Sequence, residues 1–360
     1  MVTVMVITCP HALGLAVPLV VAMSTSLAAQ RGLLIRNRGA FERARELDAV
    51  VFDKTGTLTE GRFAVRAVRI FGDADEETVL RLAASLEQHS EHPMARGITA
   101  AAEERGLQLS EARDFENLTG RGARATIDGD RLQVLGAGHA GREGFAIDRD
   151  AVEELAADGA TVVVVTRGDA VVGAIALADV IRDSSRQAIT RLNEMGIRCM
   201  MLTGDAESVA ASVAGELGLD EYFAGVLPDQ KADRVRELRE RGLRVAMVGD
   251  GVNDAPALVE ADLGIAIGAG TDVAVESADV VLVKSDPARV ADIMALARAT
   301  YRKLLQNLAW ATGYNIVAIP LAAGVLAGIG ILLSPAVGAA LMSLSTVIVA
   351  VNARLLRVAD

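Results

Sequence analysis

Residues 50–61 read VVFDKTGTLTEG, and this stretch decides the fold of the chain. An apolar, β-branched run ends at Asp53, and a turn that contains Gly56 follows it. Ligands of open α/β sheets bind at the carboxyl ends of the strands, so the run predicts a strand that presents the Asp53 carboxylate at such an edge. A carboxylate placed there can act as a nucleophile and form an acyl phosphate. Lys54 is then expected to stabilise the transferring phosphoryl group.

Two more polar motifs follow apolar or helical segments at positions that suit the same site. The Thr203-Gly204-Asp205 turn comes directly after the apolar run 197–202, and we expect the Thr203 hydroxyl to bind phosphoryl oxygens. Lys231, in the segment LPDQKAD, offers a point charge for the same phosphate.

A third motif, VGDGVNDAPAL at 248–258, follows another apolar run and presents Asp250, Asn253 and Asp254. Phosphoryl transfer depends on positioning and charge neutralisation, and it uses Mg²⁺ held by carboxylates. Asp53 and Asp250 are the natural pair for that ion. The ordered set of motifs therefore predicts a catalytic phosphoryl-transfer site.

Short apolar runs alternate with helical patterns along much of the chain, which predicts a Rossmann-like parallel α/β domain. The runs lie at 49–52, 161–165, 171–177, 197–202, 244–249, 263–267 and 279–283. We assign residues 49–62 and 169–300 to this phosphorylation domain. The pattern changes between them, so residues 63–168 are predicted to form an inserted α+β nucleotide-binding domain.

The inserted domain must supply the adenine site, because the chain contains no GxxxxGK[ST] phosphate loop. Its candidate nucleotide-binding residues are Glu87, His92 in the SEHP motif, and Gly120 and Gly122 of a Gly-x-Gly turn. A single histidine or a single Gly-x-Gly turn is more often structural, so these residues gain weight only as a group.

Three apolar segments are long enough to cross a bilayer, at 2–27, 304–327 and 331–353, and none contains Lys, Arg, Asp or Glu. The corresponding domains are 1–28, 301–328 and 329–360, with a linker at 29–48. Arginines and lysines flank the segments on the side that faces 30–300, so that side is predicted to be cytoplasmic. The net charge of −11 and the absence of a basic stripe argue against nucleic-acid binding.

Taken together, these motifs resemble the P-type ATPases, a group within the haloacid dehalogenase-like superfamily. The resemblance covers essentially the whole chain and rests on DKTGTLT and GDGVNDAP. It implies that ATP phosphorylates Asp53 and that Mg²⁺ is bound by Asp53, Asp250 and the backbone carbonyl of Thr55. It also implies a multi-pass protein of the cell membrane whose catalytic domains are cytoplasmic.

The SEHP motif resembles the heavy-metal (type IB) subfamily and implies that His92 orients adenine, with Glu87 and the Gly120/Gly122 turn around the nucleotide. Cys9-Pro10-His11 resembles the variant of this subfamily that is associated with copper and silver export. The implied ligands of the transported metal are Cys9, His11, Tyr314, Asn315, Met342 and Ser345. Thiolate, thioether and imidazole ligands suit Cu⁺ or Ag⁺, and imidazole makes a site more tolerant of Cu²⁺.

A complete transporter of this type also has an actuator domain with a Thr-Gly-Glu loop, and no such tripeptide occurs in the 360 residues. We therefore expect the chain to be the carboxyl-terminal portion of a pump, with an amino-terminal half as its partner. Two alternatives are a membrane-anchored phosphatase of the same superfamily and a metal-binding fragment that does not transport. The phosphatase needs a second carboxylate at the position of Thr55, which disfavours it.

Overall fold

The structure is a computed structural model that describes residues 11–118, 120–157, 159–250, 252–268, 272–329 and 333–358, together with Val4. Cys9 and Pro10 lie outside the described residues. The chain separates into two compact units, and the first comprises Met1–Val50, Thr190–Ile197 and Ala232–Asp360. The second comprises Val51–Ile189 and Arg198–Lys231.

The helices and strands are numbered in chain order. The helices are α1 (His11–Gln30), α2 (Arg38–Arg43), α3 (Glu76–Glu87), α4 (Pro93–Glu104), α5 (Ala137–Arg142), α6 (Arg149–Ala156), α7 (Asp183–Glu194), α8 (Glu207–Leu217), α9 (Lys231–Glu240), α10 (Ala255–Glu260), α11 (Asp272–Ser277), α12 (Ala288–Ala322) and α13 (Pro335–Arg354). The strands are β1 (Leu33–Ile35), β2 (Ala49–Asp53), β3 (Thr59–Ile70), β4 (Ala112–Leu118), β5 (Gly122–Ile127), β6 (Asp130–Gly136), β7 (Thr161–Arg167), β8 (Ala170–Ile181), β9 (Arg198–Leu202), β10 (Glu221–Phe223), β11 (Val245–Gly249), β12 (Leu263–Ile267) and β13 (Val280–Leu282).

The second unit is built on an antiparallel sheet with the strand order β3-β8-β7-β6-β5-β4. Its strands alternate in burial, as in β5, where Ala123, Ala125 and Ile127 are buried and their neighbours are partly exposed. That buried face packs against α3 and α4 through residues such as Leu80 and Ile98. The opposite face packs against α5 and α6, so helices cover both sides of the sheet.

The apolar runs at 161–165 and 171–177 were predicted to be strands of the parallel sheet, and this prediction was wrong. The runs form β7 and β8, which pair antiparallel with each other, and β8 also pairs antiparallel with β3. Both strands are buried because helices cover the two faces of this sheet. Their sequences are therefore as apolar as those of parallel strands.

The first unit contains the strands β11, β12 and β13, which pair in parallel, and β1, which pairs antiparallel with β13. Every residue of β11 and β12 is buried, as is typical of parallel strands covered on both faces. Gly264 of β12 lies against α10, where an added Cβ would be 2.5 Å from the Leu258 carbonyl oxygen. Glycine is therefore required at this contact between helix and sheet.

Three long helices of the first unit correspond to the predicted membrane segments. Among the described residues, two helices are long and apolar enough to cross a membrane, α1 and α13, each with 20 residues and a mean hydropathy of 1.9. The middle segment, predicted at 304–327, falls in the second half of the 35-residue helix α12, which ends at Ala322. The three helices pack through small residues, including Ala12, Ala16 and Ala311.

A chain of polar side chains joins these helices. The Asn307 Nδ2 donates to the Ala16 carbonyl oxygen (3.2 Å), and the Asn352 Nδ2 donates to the Asn307 Oδ1 (2.8 Å). The Lys303 Nζ donates to the Asn352 Oδ1 (2.9 Å), and Asn307 is fully buried. Polar groups buried between membrane helices need such partners, so this chain fixes the relative height of α1, α12 and α13.

A buried carboxylate, that of Asp292, makes a second connection between α12 and the end of α1. Asp292, near the start of α12, is 2% exposed and contacts three guanidinium groups. They belong to Arg191 (2.8 Å), Arg289 (2.9 Å) and Arg31 (3.5 Å), and Arg31 directly follows α1. Asp292 therefore ties the end of α1 and the end of α7 to α12.

The predicted elements of the fold are present: parallel strands with helices between them, a separate α+β region and long apolar helices. The predicted domain boundaries remain predictions. The count of three membrane spans also remains a prediction, because two of the described helices meet the length and hydropathy criterion for a span.

Candidate active site and nucleotide cavity

The turn after Asp53 is held in place by side chains from elsewhere in the second unit. Strand β2 is buried along its whole length, and Asp53 at its end is 6% exposed. The chain then turns through Lys54–Leu58, where Gly56 has a φ of +77° that favours glycine. Arg182 donates to the Gly56 carbonyl oxygen (3.1 Å), and Ser185 donates to that of Leu58 (2.8 Å). The turn thus has a fixed shape.

Lys231 lies directly against Asp53. Its Nζ is 2.5 Å from the Asp53 Oδ1, and the two side chains are 10% and 9% exposed. A charge-assisted hydrogen bond of this kind is short and strong because both partners are ionised. It fixes one carboxylate oxygen of Asp53 on the ammonium group of Lys231.

Lys54 binds carboxylates of its own unit. Its Nζ lies 2.6 Å from the Asp205 Oδ2 and 3.8 Å from the Asp179 Oδ2. The predicted role of Lys54, stabilisation of the transferring phosphoryl group, remains a prediction, and its charge is paired in this structure. The two carboxylates hold the lysine in a buried position beside the turn.

The Thr203-Gly204-Asp205 motif forms a compact turn after β9. The Thr203 hydroxyl is 2% exposed, donates to the Asp205 Oδ2 (2.9 Å) and accepts from the Asp205 backbone N–H (3.1 Å). The turn brings Asp205 to Lys54, and Gly204 is exposed. Thr55, in the turn after Asp53, is exposed as well.

Asp250, Asn253 and Asp254 follow β11 in the first unit. Asp254 is 2% exposed, Asp250 is half-buried and Asn253 is exposed. The Asp254 side chain packs on the Cα of Gly249, where an added Cβ would be 2.6 Å from a carboxylate oxygen. Glycine at position 249 is therefore needed to bring the Asp254 carboxylate to the end of β11.

All four residues predicted to bind nucleotide line one cavity of about 260 Å³ in the second unit, namely Glu87, His92, Gly120 and Gly122. Apolar side chains such as Ile98 and Val134 form much of its wall. Gly122 has a φ of +144°, and a Cβ there would be 1.9 Å from the Val134 carbonyl oxygen, so glycine is obligatory.

Two side chains of this cavity have altered or defined proton states. Burial raises the pKa of Glu87 to about 7, and a hydrogen bond with Ser90 opposes part of that rise. His92 is the N-cap of α4, and its Nδ1 accepts from the Met94 backbone N–H (3.3 Å). This contact leaves the neutral His92 with its proton on Nε2.

Three side chains near these sites were not predicted as site residues, namely Asn117, Asp179 and Arg182. Asn117 lines the cavity that contains Glu87 and His92, as does Arg121 of the predicted Gly120-Arg121-Gly122 turn. Asp179 accepts from the Thr59 hydroxyl (2.6 Å) and the Arg62 backbone N–H (3.0 Å), and Arg182 holds the Asp53 turn. The signal for the last two was present, since Asp179-Val-Ile-Arg182 follows an apolar run, as the recognised motifs do.

The residues predicted to bind the transported metal lie on three helices. His11 opens α1 and is exposed, Tyr314 and Asn315 are half-buried on α12, and Met342 is half-buried and Ser345 buried on α13. The Tyr314 hydroxyl donates to the Gly338 carbonyl oxygen (3.4 Å), which links α12 to α13. The predicted Cys9 ligand falls outside the described residues, so the complete ligand set remains a prediction.

Comparisons with known proteins identify the family of the chain. The family described as "Hydrolase: haloacid dehalogenase-like hydrolase" matches residues 47–262. The "Copper-exporting P-type ATPase B" of Archaeoglobus fulgidus is 61% identical over 99% of this chain and 51% of its own length. The chain spans about half the length of the curated relatives it matches.

Solved structures of ATPases are also similar to this chain. A zinc-transporting PIB-type ATPase in the E2.Pi state superimposes with a TM-score of 0.87 at 39% identity, over 98% of this chain and 57% of that one. A catalytic CPx-ATPase domain, CopB-B, is 30% identical with a TM-score of 0.54, over 76% of this chain and 97% of that domain. The chain therefore belongs to the haloacid dehalogenase-like hydrolase family and, within it, to the P-type ATPases of the heavy-metal type.

Proposed function

We propose that Asp53 of this chain accepts the γ-phosphoryl group of ATP and that the resulting aspartyl phosphate drives copper across a membrane. The observation that carries the proposal is the 2.5 Å contact between the Lys231 Nζ and the Asp53 Oδ1 at the end of a buried strand. The contact holds a carboxylate nucleophile in one orientation, and family membership supplies the reaction class.

The proposed chemistry is an in-line displacement on phosphorus. Lys231 binds Oδ1, so Oδ2 is the oxygen that attacks the γ-phosphorus. An Oδ2–P bond forms while the bond from the γ-phosphorus to the β,γ-bridging oxygen breaks, and ADP leaves with that electron pair. The Lys231 ammonium remains beside the acyl phosphate and offsets its added negative charge.

Mg²⁺ fits the oxygen donors that this sequence provides. We assign it to the carboxylates of Asp53 and Asp250 and the backbone carbonyl of Thr55, because hard oxygen ligands suit this ion. Mg²⁺ bound at these oxygens would neutralise part of the charge of the phosphoryl group. Asp254 is assigned to the same site as a supporting carboxylate, since it is buried beside the end of β11.

The adenine end of ATP is assigned to the cavity that contains Glu87 and His92. The cavity has apolar walls and a few polar groups, as small-molecule sites usually do. The Gly120/Gly122 turn leaves room at its mouth, because neither residue projects a side chain. The His92 Nε2–H can donate a hydrogen bond to a nitrogen of adenine.

Helix geometry supports a shared depth for the proposed metal ligands. The Asn307–Ala16 and Asn352–Asn307 hydrogen bonds define one level on α1, α12 and α13. At a rise of 1.5 Å per residue, His11 lies about 8 Å beyond that level and Tyr314 about 11 Å beyond it, away from the cytoplasmic ends. Ser345 lies about 11 Å beyond it on α13. The three helices thus carry their candidate ligands at similar depths.

Copper is the transported metal that these ligands favour. The set combines the Cys9 thiolate, the His11 imidazole and the Met342 thioether, and thioethers select Cu⁺ or Ag⁺. Zinc sites are built from Cys, His, Asp and Glu, and the three predicted spans contain no carboxylate. We therefore assign Cu⁺ as the main substrate, with Ag⁺ and Cu²⁺ as further substrates, and place the protein as a multi-pass component of the cell membrane.

Thr55 distinguishes this proposal from the phosphatase alternative. A superfamily phosphatase needs a carboxylate at this position to activate water, and Thr55 has none. The aspartyl phosphate is then long-lived until another group promotes its hydrolysis. We assign that step to an actuator domain with a Thr-Gly-Glu loop, a tripeptide that does not occur in these 360 residues.

Phosphorylation of the purified full chain tests the proposal. With Mg²⁺ and γ-³²P-labelled ATP, we expect an acid-stable label that hydroxylamine removes. Asp53→Asn should abolish the label, and Asp48→Asn should keep it, because Asp48 lies just before the same strand and pairs with Arg244. An unlabelled wild-type chain that still binds ATP, or a labelled Asp53→Asn variant, would refute the assignment.

A further inference from the structure

A cavity in the first unit, about 620 Å³ in volume, is lined by residues that the proposed function assigns neither to phosphorylation nor to metal binding. It is lined by Arg45, Glu46, Arg298, Tyr301 and Arg302. Three guanidinium groups and one carboxylate leave an excess of two positive charges. The cavity is open, so a bulky anion can enter it from outside.

Two of the three arginines of the cavity are held in place by contacts, and the third, Arg302, is exposed. The Arg45 guanidinium lies over the Tyr301 ring, 3.8 Å from its centroid, which holds the charged group in one plane. Arg298 is anchored by donating to the backbone carbonyl oxygen of Met195 (3.2 Å). Arg302 is exposed and makes no side-chain hydrogen bond or ion pair within the described residues.

Glu46 cancels only part of the positive charge of the cavity. It contacts Arg45 (2.8 Å) and also Arg244 (3.1 Å), a residue outside the cavity. Its carboxylate is therefore shared between two guanidinium groups. The contact with Arg45 also lowers the pKa of Glu46, so the carboxylate remains ionised at neutral pH.

The cavity lies at the level where the membrane helices reach the cytoplasmic surface. Lys303, next to Arg302, donates to the Asn352 Oδ1, and Asn352 is two residues before the end of α13 at Arg354. Tyr301 and Arg302 also directly precede the predicted span at 304–327. Tyrosine and arginine are the residues that line membrane–water interfaces, where one end of the side chain is apolar and the other is wet.

We propose that this cavity binds the phosphate headgroup of an anionic phospholipid of the cytoplasmic leaflet. Arg302 and Arg45 contact the phosphate oxygens, Arg298 adds charge from the wall, and the acyl chains run along α12. Guanidinium groups bind phosphate through paired hydrogen bonds, and basic pockets beside membrane helices recognise such headgroups. The inference depends on the membrane setting of α12 and α13 and not on phosphorylation of Asp53.

The only tryptophan of the chain provides a direct readout. Trp310 lies on α12, is 57% exposed, and is eight residues from Arg302, which corresponds to about 12 Å along the helix. The acyl chain of a lipid whose headgroup binds Arg302 reaches that depth. The full chain is reconstituted in bilayers of phosphatidylcholine and phosphatidylglycerol, with one or the other lipid brominated, and quenching of Trp310 gives the relative affinity for the two.

We expect the wild-type chain to prefer phosphatidylglycerol. Arg302→Gln should lower that preference about fivefold, the factor that corresponds to about 1 kcal/mol for one basic residue near the surface. Glu46→Gln should raise the preference, which a misfolded variant would not do. Arg354→Gln is the matched control, because Arg354 is exposed at the end of α13 and does not line the cavity.

Three results would overturn the assignment. The first is an unchanged preference in Arg302→Gln. The second is an equal loss in Arg354→Gln, which would mean that general surface charge attracts the lipid. The third is loss of the preference when excess inorganic phosphate is added, which would mean that the cavity binds free phosphate.

Discussion

Replacing Glu87 by glutamine should make the nucleotide-binding region more stable at alkaline pH. Glu87 is the last residue of α3 and is 7% exposed in the apolar wall of the proposed nucleotide cavity. Its burial disfavours the ionised carboxylate and raises its pKa from 4.5 to about 7. Glutamine has nearly the same shape and no charge, so Glu87→Gln removes the cost of ionisation while it keeps the packing.

The size of the effect follows from the difference between the folded and unfolded pKa values. A shift from 4.5 to about 7 corresponds to about 3 kcal/mol, at 1.36 kcal/mol per pKa unit. Because the folded pKa is raised, the stabilisation from the protonated carboxyl is fully present below pH 4.5 and is lost as the pH rises through about 7. Wild type and Glu87→Gln should therefore be similar near pH 4.5 and differ by about 3 kcal/mol above pH 8.

Hydrogen exchange of the amides in α3 of the full chain measures this difference locally. Comparison of the two proteins at the same pH cancels the intrinsic pH dependence of exchange. We expect the wild-type amides to exchange about 100-fold faster than those of Glu87→Gln at pH 8.5, and at nearly equal rates near pH 4. Glu91→Gln, at an exposed neighbouring position, should show no such change with pH. Equal protection of wild type and Glu87→Gln at every pH would refute the argument from burial.

Two further substitutions test contacts described above. Lys231→Met removes the ammonium bound to Asp53, and the initial rate of phosphoenzyme formation should fall about 10- to 100-fold, as expected for loss of a charged hydrogen bond; Lys284→Met, at an exposed site, should keep the wild-type rate. Asp292→Asn leaves three arginines without their carboxylate, and the first unit should lose about 3 kcal/mol of stability in thermal denaturation. An unchanged rate in the first case, or an unchanged transition in the second, would contradict these expectations.

The catalytic strands were predictable because each carries a polar motif at the end of an apolar run. The runs before Asp53, Thr203 and Asp250 form β2, β9 and β11, and in each case the motif begins at or directly after the last strand residue. A buried strand must be apolar, and the next exposed residues are free to carry chemistry. Glu87 and His92 line one cavity because they lie five positions apart, at the end of α3 and just before α4, and their binding of nucleotide stays a prediction.

Strand direction and ion-pair partners could not be predicted from the sequence. Runs such as 161–165 are buried on both faces, so their composition does not distinguish a parallel from an antiparallel sheet. Many carboxylates in the sequence could pair with Lys54, and only the folded structure shows that its partners are Asp205 and Asp179. Asn307 and Asn352 are likewise 45 positions apart in the sequence, and each lies among apolar residues. Their hydrogen bond depends on the packing of α12 against α13.

Two separate contacts join α1 or the residue after it to α12, and together they restrict how the proposed metal ligands can move. Arg31, directly after α1, pairs with Asp292 at one level, and Asn307 donates to the Ala16 carbonyl oxygen at a second level. Two fixed points about 22 Å apart along α12 prevent the helices from sliding past each other. His11 and Tyr314, two of the proposed metal ligands, both lie beyond the second point, at the ends of the helices away from Arg31 and Asp292. In the proposed transport cycle, a change of access to the metal therefore requires α1 to bend between His11 and Ala16 or α12 to bend between Asn307 and Tyr314.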